Sequence, residues 1–344
     1  MKSDKKKLGV ALVGLGRYSE GQLAPALQQT EHCYLAAVVS GHAEKRARWA
    51  KKYNLKTSSL YSYENFREIR NNPDVDIVYV VLPNVLHAEY VVHAAGAGKH
   101  VIVEKPMATT VAECHTMISA CAEAGVKLSI GYRLHFDPFN KEMMRLGQNE
   151  VFGPVERIIA DDSMVLEKEE WRIEGGLAGG GPLMNNGIYC IQAALFITGE
   201  LPVSVKAEFM PRTNPAMFKS VEEGIRWEMY FASGKVASCE TSYVKDGNLL
   251  RAEAQHDWFQ LEPAYEYKGL RGETSNGPMK FPTINQQAAQ MDDFALCIKE
   301  GRESKVSGEM GLRDMEIITA IYESARTGKE VALNLEAFQD LIEA

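Results

Sequence analysis

No stretch of this 344-residue chain stays apolar for the ~20 residues that a bilayer crossing needs, so a membrane-spanning role is not expected. Positive charge is also short. The 38 Lys and Arg against 46 Asp and Glu leave a net charge of −8, which argues against a nucleic-acid surface. Cysteine is sparse and scattered: Cys33, Cys114, Cys121, Cys190, Cys239 and Cys297 form no CxxC, and no His pair sits at metal spacing. No metal site is expected, and unpaired thiols suit a reducing compartment, so a cytoplasmic location is the expectation. Cys114 and Cys121, seven apart on a predicted helix, should share a buried face. There is no internal repeat and no low-complexity linker. The basic Met1 to Lys7 resembles the opening of a signal peptide. However, Gly9 and Gly14 break the apolar run Leu8 to Leu15, and no small-residue cleavage site follows a longer core. The segment from Leu8 reads as a first strand.

What is present is ordinary globular composition, 45% hydrophobic and 24% charged, in a chain too long for one average core. Two domains are expected, divided at 133/134. In the first part, strands alternate with helices. Leu8 to Val13 and Tyr34 to Val39 read as strands, followed by the predicted helix Ala43 to Tyr53. Further strands are Asp76 to Val81, His100 to Val103 and Lys127 to Gly131. The helices His87 to Ala97 and Thr109 to Ala124 lie between them. That rhythm means a doubly wound parallel sheet, an α/β fold of the Rossmann kind. In the second part, Val155 to Asp161, Val203 to Met210, Ile225 to Phe231, Lys235 to Tyr243 and Trp258 to Glu262 read as strands at short spacing. They predict an α+β domain with a mostly antiparallel sheet, closed by helices Gln286 to Glu300 and Leu312 to Arg326.

Three places carry chemistry. Gly14-Leu15-Gly16-Arg17-Tyr18-Ser19 follows the first strand and nearly matches G-x-G-x-x-G, with Ser19 where the third glycine allows close helix packing. Glycines there let the backbone approach a pyrophosphate, and the helix N-terminus supplies N–H groups. The second strand ends in Ser40 rather than the Asp or Glu that holds an NAD ribose, with Lys45 and Arg46 close behind. A carboxylate would repel a 2′-phosphate, whereas a hydroxyl and cations can bind it, so NADP is the expected cofactor. The third place is Glu104-Lys105-Pro106-Met107. Ligands in parallel sheets sit beyond the carboxyl ends of the strands, and Lys105 stands at such an end.

In order along the chain, Gly14-x-Gly16, Leu82-Pro83-Asn84, His87-Ala88-Glu89, Gly98-Lys99-His100-Val101, Glu104-Lys105-Pro106-Met107, Gly131-Tyr132-Arg133 and His135 resemble the glucose–fructose oxidoreductase and inositol dehydrogenase (Gfo/Idh/MocA) family. Leu177 to Met184, Gly187-Ile188-Tyr189 and Ala320 to Gly328 extend the likeness over nearly the whole chain. Ser40-Gly41 followed by Glu44-Lys45 most resembles the glucose–fructose oxidoreductase branch. The resemblance implies a nucleotide-binding domain over 1–133 and a substrate and oligomerisation domain over 134–344. The large open sheet of the latter would join a homodimer or homotetramer. It also implies a cofactor set of Gly14, Gly16, Arg17, Tyr18, Ser40, Lys45, Arg46, Leu82, Pro83, Asn84, His87, Glu104 and Lys105.

By the same resemblance, Lys105 contacts the reacting hydroxyl, the Lys105–Pro106 peptide is cis, and Tyr189 is the acid–base group. Relatives carry Asp where this chain has Asn185, which is kept as a substrate contact. Tyr132, Arg133, His135, Trp171 and Arg172 join it, since sugars favour aromatic and bidentate polar contacts. The expected reaction moves a hydride between a nicotinamide and a sugar, polyol or related hydroxyl or carbonyl compound, the two carbons held about 3–3.5 Å apart. Alternatives of the same fold are a dehydrogenase for xylose-like sugars or aromatic dihydrodiols, and a regulator that binds cofactor without turnover. Glucose–fructose oxidoreductases that retain NADP carry a long N-terminal arm. With only Met1 to Lys7 ahead of the first strand, a solvated tail and exchangeable NADP(H) are expected.

Overall fold

The computed structural model describes residues 7–342, which fall into two compact units. The first holds the chain up to Ala108, Ala112–Arg133 and Asn285–Gly311. The second holds Thr109–Val111, Leu134–Ile284 and the chain from Leu312 onward. Of the basic N-terminal segment only Lys7 is described, its ammonium donating to the Thr30 carbonyl at 2.6 Å; the rest of the expected tail lies outside the described residues. Among the described residues, no helix is long and apolar enough to cross a membrane.

In the first unit, β1 (Leu8–Val13), β2 (Cys33–Val39), β3 (Leu60–Tyr61), β4 (Ile77–Val80), β5 (His100–Val103) and β6 (Leu128–Ile130) form one sheet. Its order is β3-β2-β1-β4-β5-β6 and every pairing is parallel. All of β1 and β4 is buried, as strands covered on both faces must be. Helices α1 (Ala24–Leu27), α2 (Ala43–Tyr53), α3 (His87–Gly96) and α4 (Val111–Glu123) occupy the stretches between strands. Cys114 and Cys121 of α4 are both buried, and all six cysteines are free thiols.

The second unit opens with α5 (Pro138–Gln148) and continues through β7 (Val155–Ser163), α6 (Gly175–Ala178) and α7 (Ile188–Thr198). Strands β8 (Pro202–Phe209), β9 (Gly224–Phe231), β10 (Val236–Ser242), β11 (Gly247–Ala254), β12 (Trp258–Leu261), β13 (Gly272–Thr274) and β14 (Gly277–Pro278) follow. Next along the chain come α8 (Gln286–Glu300), which belongs to the first unit, then α9 (Gly308–Thr327), which re-enters the second from Leu312, and a short strand, β15 (Val331–Ala332). The nine strands β7 to β15 make one sheet in the order β14-β13-β12-β11-β7-β10-β9-β8-β15. Only the β7–β10 pair within it is parallel. Helix α7 packs on the face formed by β7 and β10. The opposite face carries Arg157, Lys206, Glu208, Arg226, Glu228 and Glu240, all partly or fully exposed.

The single division at 133/134 does not capture α8. This helix returns to the first unit, where Ala288, Met291, Phe294, Ala295 and Cys297 join the core built by Leu8, Val10, Leu27 and Cys33. Asp292 fixes the docking by accepting from the N–H groups of Glu31 at 2.9 Å and His32 at 2.7 Å. An amphipathic pattern marks the helix but does not say which sheet its apolar face covers.

Candidate active site

The turn after β1 is shaped for close backbone approach. Gly14 has φ +94°, and a Cβ there would lie 2.2 Å from the Val81 carbonyl oxygen, so only glycine fits. Gly16 is exposed, with nothing within 4 Å of the place a Cβ would take. Ser19, standing for the third glycine, is fully buried and donates its hydroxyl to the Gly14 carbonyl at 2.5 Å. The substitution therefore ties the turn closed. Arg17 is exposed and Tyr18 half-buried, its hydroxyl taking the Gln287 amide at 3.5 Å. At the end of β2, Ser40 is buried; its hydroxyl accepts from His42 N–H at 3.3 Å and its carbonyl from the Arg46 guanidinium. Arg46 is thereby held at the strand end, with Lys45 beside it in sequence and both half-buried. The glycine turn and this carboxylate-free strand end fit a dinucleotide.

The next two strand ends are joined by His87. It is fully buried, with Nδ1 2.9 Å from the Pro106 carbonyl oxygen and Nε2 2.9 Å from that of Leu82. Expected among the cofactor contacts, it instead clasps two loops and has no surface to offer a ligand. Burial pushes its pKa down. The Leu82-Pro83-Asn84 turn and the cis Lys105–Pro106 peptide are what it connects. Leu82 and Asn84 are themselves buried and Pro83 half-buried. Lys105 is half-buried at the end of β5. Its neighbour Glu104 accepts from the Tyr79 hydroxyl at 2.7 Å, and that hydroxyl takes the Gln290 amide at 3.3 Å. Burial pushes the Glu104 carboxyl up, against the Tyr79 hydrogen bond and the charges of Lys105 and Arg133. A Cβ on Gly131 would meet that carboxylate at 2.8 Å, which is why glycine stands there.

Tyr132 and Arg133 were expected to face a substrate. Both are buried, and Arg133 donates from Nη1 to Gln286 at the start of α8. Gln286, Gln287 and Gln290, all at most 3% exposed, thus reach Arg133, Tyr18 and Tyr79 from one helix. Sequence reasoning missed them. They belong to no motif, and only three near-consecutive buried amides in an otherwise amphipathic helix could have pointed to them.

The second unit carries the remaining candidates. Buried Glu222 accepts from Gly181 N–H (3.0 Å), Leu183 N–H (3.2 Å) and the Tyr322 hydroxyl (2.8 Å), pinning the glycine-rich segment. A π-helical turn, Leu183–Gly187, then leads into α7 and sets Asn185 and Tyr189 in adjacent turns. Asn185 donates to Asn186 Oδ1 at 2.5 Å, and Asn186 donates to Asp162 at 3.0 Å. Tyr189 is 8% exposed and stacks on Tyr265 with ring centroids 6.3 Å apart. Arg172 lies over the Trp171 ring at 4.7 Å and pairs with Glu170 at 2.7 Å. Burial drives the Tyr243 phenol pKa up, opposed by the Arg172 charge and the Asn185 amide. His135 is half-buried, edge-on to Phe196, its Nε2 2.7 Å from Gln192 Oε1.

A first unit that presents a glycine turn at the end of β1 and a Lys at the end of β5, followed by a second unit with a large open sheet, defines a class of nicotinamide-dependent oxidoreductases. Residues 8–132 match the oxidoreductase family profile with an NAD-binding Rossmann fold. Residues 142–262 match a GFO/IDH/MocA C-terminal domain, and residues 279–333 an oxidoreductase family C-terminal alpha/beta domain. The chain belongs to the Gfo/Idh/MocA family. It is 42% identical to the aldose-aldose oxidoreductase of Caulobacter crescentus, whose crystal structure was solved with glycerol. That match covers 95% of this chain and 100% of the other with a TM-score of 0.93. It is 28% identical to D-xylose 1-dehydrogenase [NADP(+)] of Haloarcula marismortui, over 94% of this chain and 92% of that one. It is 25% identical to the D-glucoside 3-dehydrogenase of Escherichia coli, over 95% and 97%.

Proposed function

We propose that this protein is an NADP(H)-dependent oxidoreductase of aldose-type sugars. The observation that carries the reading is the retention of Lys105 and Tyr189 in their motif places, in a chain similar over 95% of its length to an aldose-aldose oxidoreductase. When bound, NADP supplies or accepts the hydride. Ser40 leaves the end of β2 without a carboxylate, and Arg46, tied to the Ser40 carbonyl, would hold a 2′-phosphate together with Lys45. Hydrogen bonds to charged groups contribute roughly 1.5–3 kcal/mol each, enough to choose between cofactors. In the oxidative direction Tyr189, acting as its phenolate, would take the hydroxyl proton, and the Lys105 ammonium would stabilise negative charge on the substrate oxygen. Asn185 orients a substrate hydroxyl by donating and accepting hydrogen bonds, carrying no charge of its own.

Steady-state reduction of NADP⁺ and NAD⁺ against a panel of aldoses, ketoses and polyols tests this. Tighter NADP⁺ binding is expected, with Ser40→Asp moving preference toward NAD⁺. Tyr189→Phe should cut turnover by about 10²–10⁴-fold with cofactor affinity almost unchanged, and Lys105→Ala should be at least as damaging. Intact turnover in Tyr189→Phe would remove the acid–base assignment. Tight NADP binding without turnover on any sugar would favour the regulator, the reading that Asn185 in the family's Asp position supports.

A further inference from the structure

The helix that carries Asn185 and Tyr189 begins on a carboxylate from a distant loop. Asn185 N–H makes the first intrahelical bond, to the Gly181 carbonyl at 3.3 Å. The Gly181 and Leu183 N–H groups therefore precede the ladder and find no carbonyl within the helix. Glu222 takes both: Oε2 accepts from Gly181 and Oε1 from Leu183, and Oε1 also accepts the Tyr322 hydroxyl of α9. A negative group in that place is favoured by the helix dipole as well. The glycines ahead of the helix make room for these two side chains. A Cβ on Gly181 would lie 2.5 Å from the Glu222 carbonyl oxygen and 2.9 Å from Oε2, and one on Gly180 would lie 2.2 Å from the Tyr322 hydroxyl oxygen. Both partners are fixed from behind. Glu223, 1% exposed, accepts from Thr213 N–H at 2.6 Å, and its carbonyl takes Tyr243 N–H at 2.8 Å. Ser324, two residues past Tyr322, accepts from Ala207 N–H of β8 at 2.8 Å.

We infer that Glu222 and Tyr322 are positioning residues, which clamp the start of this helix so that Asn185 and Tyr189 keep the spacing turnover needs, a role that rests on Tyr189 being the acid–base group. The clamp sits where the helix is least regular. Leu183–Gly187 is a π turn, wider by one residue than the α spacing that follows it. Once released, such a turn closes to the commoner α form by a one-residue slip, which swings a side chain about 100° around the axis. Asn185 lies inside the turn and Tyr189 beyond it, so the slip moves one relative to the other. The C-terminal stretch Ala320 to Gly328, part of the family likeness, thereby gains a task, since Tyr322 acts on the site through Glu222.

Two variants of the full-length protein test the clamp. Glu222→Gln keeps the shape but sets an NH₂ against backbone donors, and Tyr322→Phe removes one hydroxyl and leaves both N–H bonds to the carboxylate. Hydrogen–deuterium exchange should show faster exchange over residues 179–190 in Glu222→Gln, with β8 to β10 as protected as in wild type. In steady state, Glu222→Gln should lower kcat per NADP-binding site about 10²-fold, the cost of a misplacement near 1 Å, with NADP⁺ affinity unmoved. Tyr322→Phe should show both effects in the same direction and smaller, and it carries the test should the Gln variant not fold. Unchanged exchange over 179–190 in the folded variants would overturn the inference. So would a lower melting temperature and fewer NADP-binding sites at wild-type kcat per site, the outcome of a role in folding alone. Exchange needs no substrate, so a protein without sugar turnover would end the proposed activity and still leave the clamp to stand or fall on its exchange pattern.

Discussion

His100 begins β5 with its Nδ1 accepting the Lys127 N–H at 3.0 Å. Burial, helped by the Lys127 charge, lowers its pKa to about 4. An unfolded histidine takes a proton near pH 6.5. Between that pH and about 4 the unfolded state therefore binds more protons than the folded one, and stability falls as pH falls. The loss approaches about 3 kcal/mol by pH 4. His100→Asn keeps an acceptor for Lys127 N–H and should flatten that slope by the same amount, leaving stability at pH 8 nearly unchanged. Urea denaturation at pH 5 and pH 8 checks it, and an unaltered pH dependence would refute the assignment. Single residues were the least legible level of this sequence. The motifs named His87 and Arg133, yet their burial and their use of carbonyls and a glutamine depend on neighbours far along the chain.

Elements were easier to read than their partners. Helix α8 has the same bounds as the sequence pattern predicted, Gln286–Glu300, because its cap is local: Asn285 accepts from Ala288 N–H at 3.1 Å and Gly301 leaves the helix at φ +75°. Its destination in the first unit was not legible, since packing partners are set by tertiary contacts. Strand β11 was missed for another reason. Gly247-Asn248-Leu249-Leu250-Arg251-Ala252-Glu253-Ala254 lacks β-branched residues and reads as helix-neutral, yet β7 and β12 pair with it from both sides. For α8 the energetic order of substitutions follows from burial. Phe294→Ala, in the core at 1% exposure, should cost about 3–5 kcal/mol, whereas loss of the Asn285 cap in Asn285→Ala should cost about 1 kcal/mol. Equilibrium denaturation followed with NADP titration should show Phe294→Ala weakening both stability and cofactor binding. A Phe294→Ala protein as stable as wild type would mean the helix does not dock in that core.

At the scale of the whole molecule, the fold class was legible because two periodicities change at one place: helix–strand alternation before Asp137, short-spaced strands after it. The family resemblance implies that the large sheet joins the oligomer, and we propose the outer face of the nine-stranded sheet as that surface of self-association. The face is neither apolar nor of one sign. Lys245 bridges Asp161 (2.7 Å) and Glu240 (2.5 Å), Arg226 reaches Glu208 at 3.5 Å, and Arg251 lies over Trp258 at 4.4 Å. A depression of about 730 Å³ on it is lined by Arg157, Ile159, Lys206, Arg226, Glu228 and Leu249. With both signs in adjacent columns, a second copy related by a two-fold axis can set its acids against these bases, and such contacts weaken as salt screens them. Sedimentation velocity should find a dimer or tetramer at low ionic strength that dissociates more readily at high salt. Arg226→Glu places like charges beside Glu208 and should abolish association. Because the Arg226–Glu208 pair is exposed on both sides, the fold itself should lose no more than about 1 kcal/mol. An Arg226→Glu protein of unchanged mass, or a wild type monomeric at every concentration, would rule this face out.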